Sequence, residues 1–334
     1  MRNRSVTILD IAEKACVSPA TVSRVINNSV LVKESKRKLV TDAMDELGFR
    51  PNALARGLVS GRSMSIGVVT QDIGSPLYDS IAMGVIRGLK ASGYSAILAD
   101  GLWRENKEAE VVNTLLDRQI DGLVLIGGHL TKDELSKLKL GIPVILVGRE
   151  VKEWEDYCIS IDNFSAAYEA TKFLIELGHR RIGHVIGRAG HEDSEQRLRG
   201  YREALANAGI ELIPNLIYQG DFSPQSGVLA VSSFMERGES FSAVFAGNDL
   251  MAMGVCRALS QRSIRCPEDV SVIGFDDQTE AAYFVPSLTT MSQPSVEMGG
   301  AASAALLDMI AGKPHEIPTL TASLKVREST QRSG

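Results

Sequence analysis

From Ser65 onward the chain alternates short apolar runs with helical stretches: "SIGVVT", "SAILAD", "DGLVLIGG", "PVILVG" and "YCISID". After residue 162 a second series follows: "RIGHVIG", "NLIYQG", "SAVFAGND" and "DVSVIGFDD". Apolar runs of this length, separated by helices, fit parallel strands covered on both faces. Two such series predict two doubly wound α/β lobes. In open sheets of this kind ligands lie beyond the carboxyl ends of the strands. The residues that follow each run are therefore the candidates for function.

The first 60 residues follow a different rule. "TILDIAEKA" places Ile8, Ile11, Ala12 and Ala15 on one helical face, with Thr7 positioned as the cap. "VSPATVSRVIN" reads as a second helix. Ser18 is a good N-cap, and Pro19 then occupies the first helical position, where a missing N–H costs nothing. "KESKRKLVTDAMDELGF" is a third helix, with Leu39, Val40, Ala43 and Leu47 apolar and Gly48 as its left-handed stop. Two short helices joined by a tight turn describe a helix-turn-helix, and the second carries Ser18, Ala20, Thr21, Ser23 and Arg24 at its exposed positions. Hydroxyls bond phosphates or base edges, Arg can fork to guanine, and an alanine methyl can meet thymine. Charge agrees. Residues 1–60 carry ten Lys and Arg against six Asp and Glu, whereas the remainder carries 26 against 35. A basic head on an acidic body suits a head that meets a polyanion.

Several function classes are disfavoured. No apolar run reaches the roughly 18 residues of a membrane span, and the N-terminus lacks the features of a signal peptide. Cys16, Cys158, Cys256 and Cys266 are scattered without CxxC spacing, so neither a disulfide framework nor a zinc site is expected, and the chain is expected in the cytoplasm. His129, His179, His184 and His191 lack metal-ligand spacing. No P-loop, HExxH or nucleophile–base pattern is present. The expectation is a non-enzyme without metal or cofactor.

"VTILDIAEKACVSPATVSRVINN" followed by "ELGFRPNALARGL" resembles the LacI/GalR family of bacterial transcription factors, and the resemblance spans essentially the whole chain. It implies an N-terminal all-α helix-turn-helix head plus an α/β periplasmic-binding-protein-like core of two doubly wound parallel-sheet lobes. The expected division is residues 1–49 for the head and 50–63 for a hinge helix and linker. One lobe takes 64–162 plus about 292–320, and the other takes 163–291 plus about 321–330. The resemblance implies double-stranded operator contacts by Thr7, Ser18, Pro19, Ala20, Thr21, Ser23, Arg24, Asn27, Asn52, Ala55 and Leu58. Leu58 matches the family's hinge leucine, which wedges into the minor groove from a paired hinge helix. So short a segment, weakened by Gly57, should order only with DNA and a partner hinge present. A homodimer without a tetramerisation tail is expected.

The same resemblance extends to sugar-binding proteins through the core. It implies effector contacts by Ser75, Tyr78, Arg149, Arg197, Phe222, Asn248, Asp276 and Gln293, all after strands or beside them. Aromatic faces can cover the C–H side of a sugar ring while Asp, Asn, Gln and Arg bond its hydroxyls. Taken singly, Asp276 could cap the next helix, Asn248 could be a turn residue and Arg197 could make a surface ion pair; jointly they point to a pocket. Trp103 follows a strand and either covers the pocket mouth or packs on the surface. The expected function is a ligand-responsive repressor of a carbohydrate-utilisation operon. The alternatives are a relative sensing a nucleobase or phosphorylated metabolite, and a sugar-binding receptor without DNA function.

Overall fold

A computed structural model describes residues 6–26, 31–49, 62–138 and 140–334. The chain divides into two compact units, Met1–Met64 and Ser65–Gly334.

In the first unit, helix α1 (Ile8–Lys14) opens on a capping box: the Thr7 hydroxyl accepts from the Asp10 N–H, and the Asp10 carboxylate accepts from the Thr7 N–H at 2.7 Å. Cys16, at φ 53°, turns the chain. Helix α2 (Pro19–Ile26) starts as its sequence prescribes. The Ser18 hydroxyl accepts the Thr21 N–H at 3.2 Å, and Pro19 is the first helical residue. Helix α3 (Glu34–Leu47) ends at Gly48, with φ 64°. Ile11, Val22, Val25, Val40 and Ala43 form the shared core. Leu39 and Ile8, expected on the apolar faces, are instead 53% and 40% exposed. Three short helices enclose only a narrow stripe, and residues at its margin stay outside.

In the second unit, β1 (Ser65–Thr70), β2 (Ser95–Asp100), β3 (Gly122–Ile126), β4 (Val144–Val147) and β5 (Cys158–Ile159) form a parallel sheet ordered β2-β1-β3-β4-β5. Helices α4 (Pro76–Leu89), α5 (Glu105–Asp117) and α6 (Lys132–Lys137) connect its strands. The chain then enters α7 (Asn163–Glu176), which begins the second lobe. There β6 (Ile182–Ile186), β7 (Ile217–Gln219), β8 (Ala243–Ala246), β9 (Ser271–Asp276), β10 (Thr289–Ser292) and β11 (Ser323–Lys325) form a sheet ordered β11-β10-β9-β8-β6-β7. Helices α8 (Glu192–Asn207), α9 (Pro224–Glu236) and α10 (Asp249–Ser260) join its strands, and only β11 runs antiparallel. After β10 the chain returns to the first lobe as α11 (Ser295–Ile310), which packs along α4 and over β3 and β4.

Glycines permit the close packing of α4 on α11. A Cβ on Gly84 of α4 would strike the Val296 carbonyl of α11, and one on Gly299 would strike the Ile81 carbonyl.

The apolar-run reading missed β10 and β11. β10 is "TTMS", whose threonines are fully buried because their hydroxyls are bonded: Thr290 Oγ1 donates to Asp249 at 2.6 Å, and Thr289 Oγ1 to the Arg327 carbonyl at 3.3 Å. β2 is an edge strand and stays half-exposed despite its apolar sequence. Among the described residues, no helix is long and apolar enough to cross a membrane.

Candidate ligand cleft and nucleic-acid interface

The carboxyl ends of the strands of both sheets carry most of the expected cleft residues. Asp276 closes β9 at φ 111°, a left-handed conformation rare outside glycine. Its carboxylate accepts from Gln293 Nε2 at 2.7 Å and from Gln278 Nε2 at 3.3 Å, and Arg197 Nη1 lies 3.9 Å away. Arg197 projects from α8 and is 2% exposed. It donates to Asn163 Oδ1 at 2.9 Å and to the Gly247 carbonyl at 2.5 Å, stacks 3.7 Å over the Phe275 ring, and approaches Asp193 at 3.9 Å. Arg197 is thus a buried hub and not a surface ion pair. Arg197, Asp276 and Gln293 are brought together directly. Burial pushes Asp276 up to about 6, against the pull of Arg197 and the two glutamines. Burial likewise pushes Asp193 up to about 6, with Arg197 opposing.

Asn248 is the N-cap of α10. Its Oδ1 accepts the Met251 N–H at 2.9 Å and its Nδ2 donates to the Phe222 carbonyl at 3.1 Å, so its side chain holds the loop that carries Phe222. Phe222 sits at φ 73° with its ring over Gly187, where a Cβ would collide with it. In the first lobe, Ser75 is the half-buried residue before α4 and makes no side-chain cap bond. Tyr78 is buried one turn on; burial, then the Asp193 and Asp276 carboxylates, raise its hydroxyl well above the ordinary phenol value. Arg149 follows β4. It donates to the carbonyls of Gly127 and Leu130 and lies 3.8 Å from the fully buried Glu108, so its guanidinium braces the loop after β3.

Residues outside the expected set complete the cleft. The rings of Tyr78, Trp103, His191 and Phe222 form a continuous chain, with successive centroids 5.8, 5.0 and 5.3 Å apart. It links the first lobe to the second. Arg188 lies 5.4 Å over the Trp103 ring, and His129 is 5.2 Å from it. Burial, then the nearby Arg197, His129 and Arg188 side chains, push His191 down to about 3, so it is a neutral imidazole. The position of Trp103 after β2 signalled this role, but that of His191, just before α8, did not. Other histidines are structural: His179 bonds Ser242 and Ser271, and His184 bonds the Phe245 carbonyl between two aromatic rings.

On the head, Ser18, Pro19, Ala20 and Arg24 are exposed, and Thr21 and Ser23 are half-buried. The Thr21 and Ser18 hydroxyls lie 2.9 Å apart, so each has a local partner. Thr7 likewise holds its capping box. Asn27, Asn52, Ala55 and Leu58 lie outside the described residues.

Comparison with known proteins gives consistent matches along the chain. The family profile described as bacterial regulatory proteins, lacI family, matches residues 7–52, and a periplasmic binding protein-like domain matches residues 171–330. The HTH-type transcriptional regulator CelR of Thermobifida fusca is 37% identical over 98% of this chain and 99% of its own. A solved CelR–cellobiose complex superposes with a TM-score of 0.73 at 35% identity, covering 97% of this chain and 99% of that one. The lac repressor dimer bound to operator and the anti-inducer ONPF superposes at 0.87 with 26% identity, covering 98% and 100%.

Proposed function

The chain belongs to the LacI family of bacterial regulatory proteins, and from that premise we propose that it is a cytoplasmic homodimeric repressor of a carbohydrate-utilisation operon. Helix α2 enters the major groove, with Pro19 and Ala20 offering only apolar contact and Arg24, Thr21 and Ser23 supplying the polar ones. Asn52, Ala55 and Leu58 would contact the minor groove from the paired hinges. A sugar seats between the lobes and changes the spacing of the two heads. It does so only by its differential affinity for the two states, and DNA must weaken the sugar by the same factor.

One observation carries the sugar reading. A carboxylate, two amides and a guanidinium (Asp276, Gln293, Gln278 and Arg197) lie on one lobe, and the ring chain through Trp103 and His191 joins Tyr78 of the other lobe to Phe222 of this one. That set matches a neutral polyol with apolar C–H faces and hydroxyl edges, and it rejects a ligand that leaves its groups unpaired. CelR, solved with cellobiose, supports the same ligand class.

The test uses the full chain and a duplex selected from random sequence. Operator affinity, read by fluorescence anisotropy, should fall steeply with salt. A panel of glucose, galactose, cellobiose and maltose should include a sugar that shifts it and also changes tryptophan emission through Trp103. A panel in which none does either would defeat the sugar reading.

A further inference from the structure

Cys256 and Cys266 stand outside any CxxC motif in the sequence, but the fold brings them together. Cys256 lies in the second half of α10 and Cys266 in the loop that leads to β9. They are ten residues apart, and the Cys256 Sγ donates to the Cys266 Sγ at 3.9 Å. Two cysteines whose side chains point apart cannot be joined without moving the backbone. Here the sulfurs face each other near van der Waals contact. A disulfide holds them about 2 Å apart, and rotation of one cysteine side chain closes a gap of that size. Cys16 and Cys158 instead donate to backbone carbonyls, of Glu13 at 3.7 Å and of Trp154 at 3.1 Å.

A reagent can reach the pair. An open cavity of about 950 Å³ runs between the start of α9, the second half of α10 and the turn at 284–286, and both cysteines line it. That volume is at the upper end of the range of about 300–1,000 Å³ that small-molecule sites occupy. The two thiols differ in exposure: Cys266 is half-buried, and Cys256 is 5% exposed. The Cys256 thiol is also held well above its ordinary value, first by its bond to Cys266 and then by burial. The thiolate is the nucleophile, so Cys266 meets a reagent first and Cys256 follows. Neither thiol is needed to satisfy a neighbour. Cys266 Sγ donates to the Ser329 carbonyl at 3.6 Å, but that oxygen also accepts the Val272 N–H at 2.8 Å.

We propose that Cys256 and Cys266 form a reversible thiol–disulfide site, oxidised by a low-molecular-weight disulfide of the glutathione type. Cys266 gives its proton to water, and its thiolate attacks one sulfur of the reagent. The reagent's S–S bond breaks, and one small thiolate leaves and takes up a proton. Cys256 then gives its proton to water, and its thiolate attacks the Cys266 sulfur of the mixed disulfide and expels the second small thiolate. Two protein thiols are oxidised to one disulfide, and the reagent is reduced to two thiols. An excess of small thiol runs the exchange backwards. Disulfides formed in reducing compartments are transient in this way. The site is separate from the cleft: Cys266 precedes β9, whereas Asp276 ends it.

The full chain carrying Cys16→Ser, which removes the exposed thiol, tests the site. After incubation with glutathione disulfide at neutral pH, the folded chain should lose two free thiols and the mass of two hydrogens. Digestion should yield two peptides joined through Cys256 and Cys266, and dithiothreitol should restore both thiols. A further Cys256→Ser should instead leave one glutathione held stably on Cys266. A further Cys266→Ser should slow reaction at Cys256 at least tenfold. Circular dichroism and thermal melting check that each variant is folded. A glutathione adduct that persists on Cys266 with Cys256 present would overturn the proposal. So would a bond made through Cys158, or thiols that react only after unfolding in urea.

Discussion

Arg197→Ala separates two views of the cleft. If Arg197 only meets ligand, its removal abolishes the sugar response and leaves the fold untouched. The structure argues otherwise. The guanidinium is 2% exposed, donates to Asn163 Oδ1 and the Gly247 carbonyl, and stacks on Phe275. It is also the cation facing both Asp193 and Asp276 at 3.9 Å. Alanine would leave two buried acceptors without this donor, two carboxylates without their counter-charge and a ring face without its cover. Breaking a buried ion pair by removing one partner costs about 3–5 kcal/mol. At about 2–4 °C per kcal/mol for a domain of this size, the core should melt about 6–20 °C lower. Arg197→Lys keeps the charge but not the planar fork and should fall between. Urea unfolding of the full chain at neutral pH, followed by circular dichroism, gives the free energy. A loss below about 1 kcal/mol in Arg197→Ala, with the sugar response gone, would refute the structural role and leave a pure ligand contact.

Three other outcomes follow from particular contacts. Asp276, held at about 6 by burial, binds a proton in the folded state that the unfolded chain releases near its ordinary value of 3.8. Its contribution to stability therefore falls as pH rises through that window, with a linked difference of up to one proton; Asp193 adds in the same sense and His191, pushed down to about 3, opposes. Stability compared between wild type and Asp276→Asn from pH 4 to 7 should show that slope, and sugar affinity in the wild type should weaken below pH 6 as the carboxylate protonates. Gly84→Ala should destabilise by about 1–3 kcal/mol, because its Cβ meets the Val296 carbonyl, which cannot move aside as a side chain would. Gly300→Ala, one turn further along α11 with open space around it, should instead stabilise by up to about 1 kcal/mol, and equal effects of the two in urea unfolding would contradict the packing. Ser18→Ala should cost the head about 0.5–2 kcal/mol through loss of the α2 cap, read as faster amide exchange in α2.

Legibility in the sequence followed the kind of physics each residue obeys. Strands β1, β3, β4, β6, β8 and β9 were readable because burial on both faces leaves an uninterrupted apolar run. β10 was not, because its buried threonines are satisfied by Asp249 and Arg327, contacts made 41 and 38 residues away in sequence. The α2 start was readable because a cap and a first-position proline are local. In the cleft, Arg197, Asp276 and Gln293 were implied by the resemblance to sugar-binding relatives, and they meet in space. Asn248 came from the same reasoning, yet both its polar side-chain atoms are engaged in capping α10 and holding Phe222.

Trp103 and His191 show where motif reading stops. Each lies next to an expected strand end or helix start, but nothing in "DGLWRENK" or "GRAGHEDSEQ" states that the two rings will meet. Their contact depends on two left-handed residues in one lobe and on the start of α8 in the other. Because it joins separate lobes, it is a contact that any opening of the cleft would break. If the lobes move apart, Trp103 and His191 would report it, because their contact spans the cleft. A Trp103 emission change on sugar binding that vanishes in His191→Ala, at sugar concentrations that still saturate that variant, would locate that sensing in the ring chain, and one that persists would place it elsewhere.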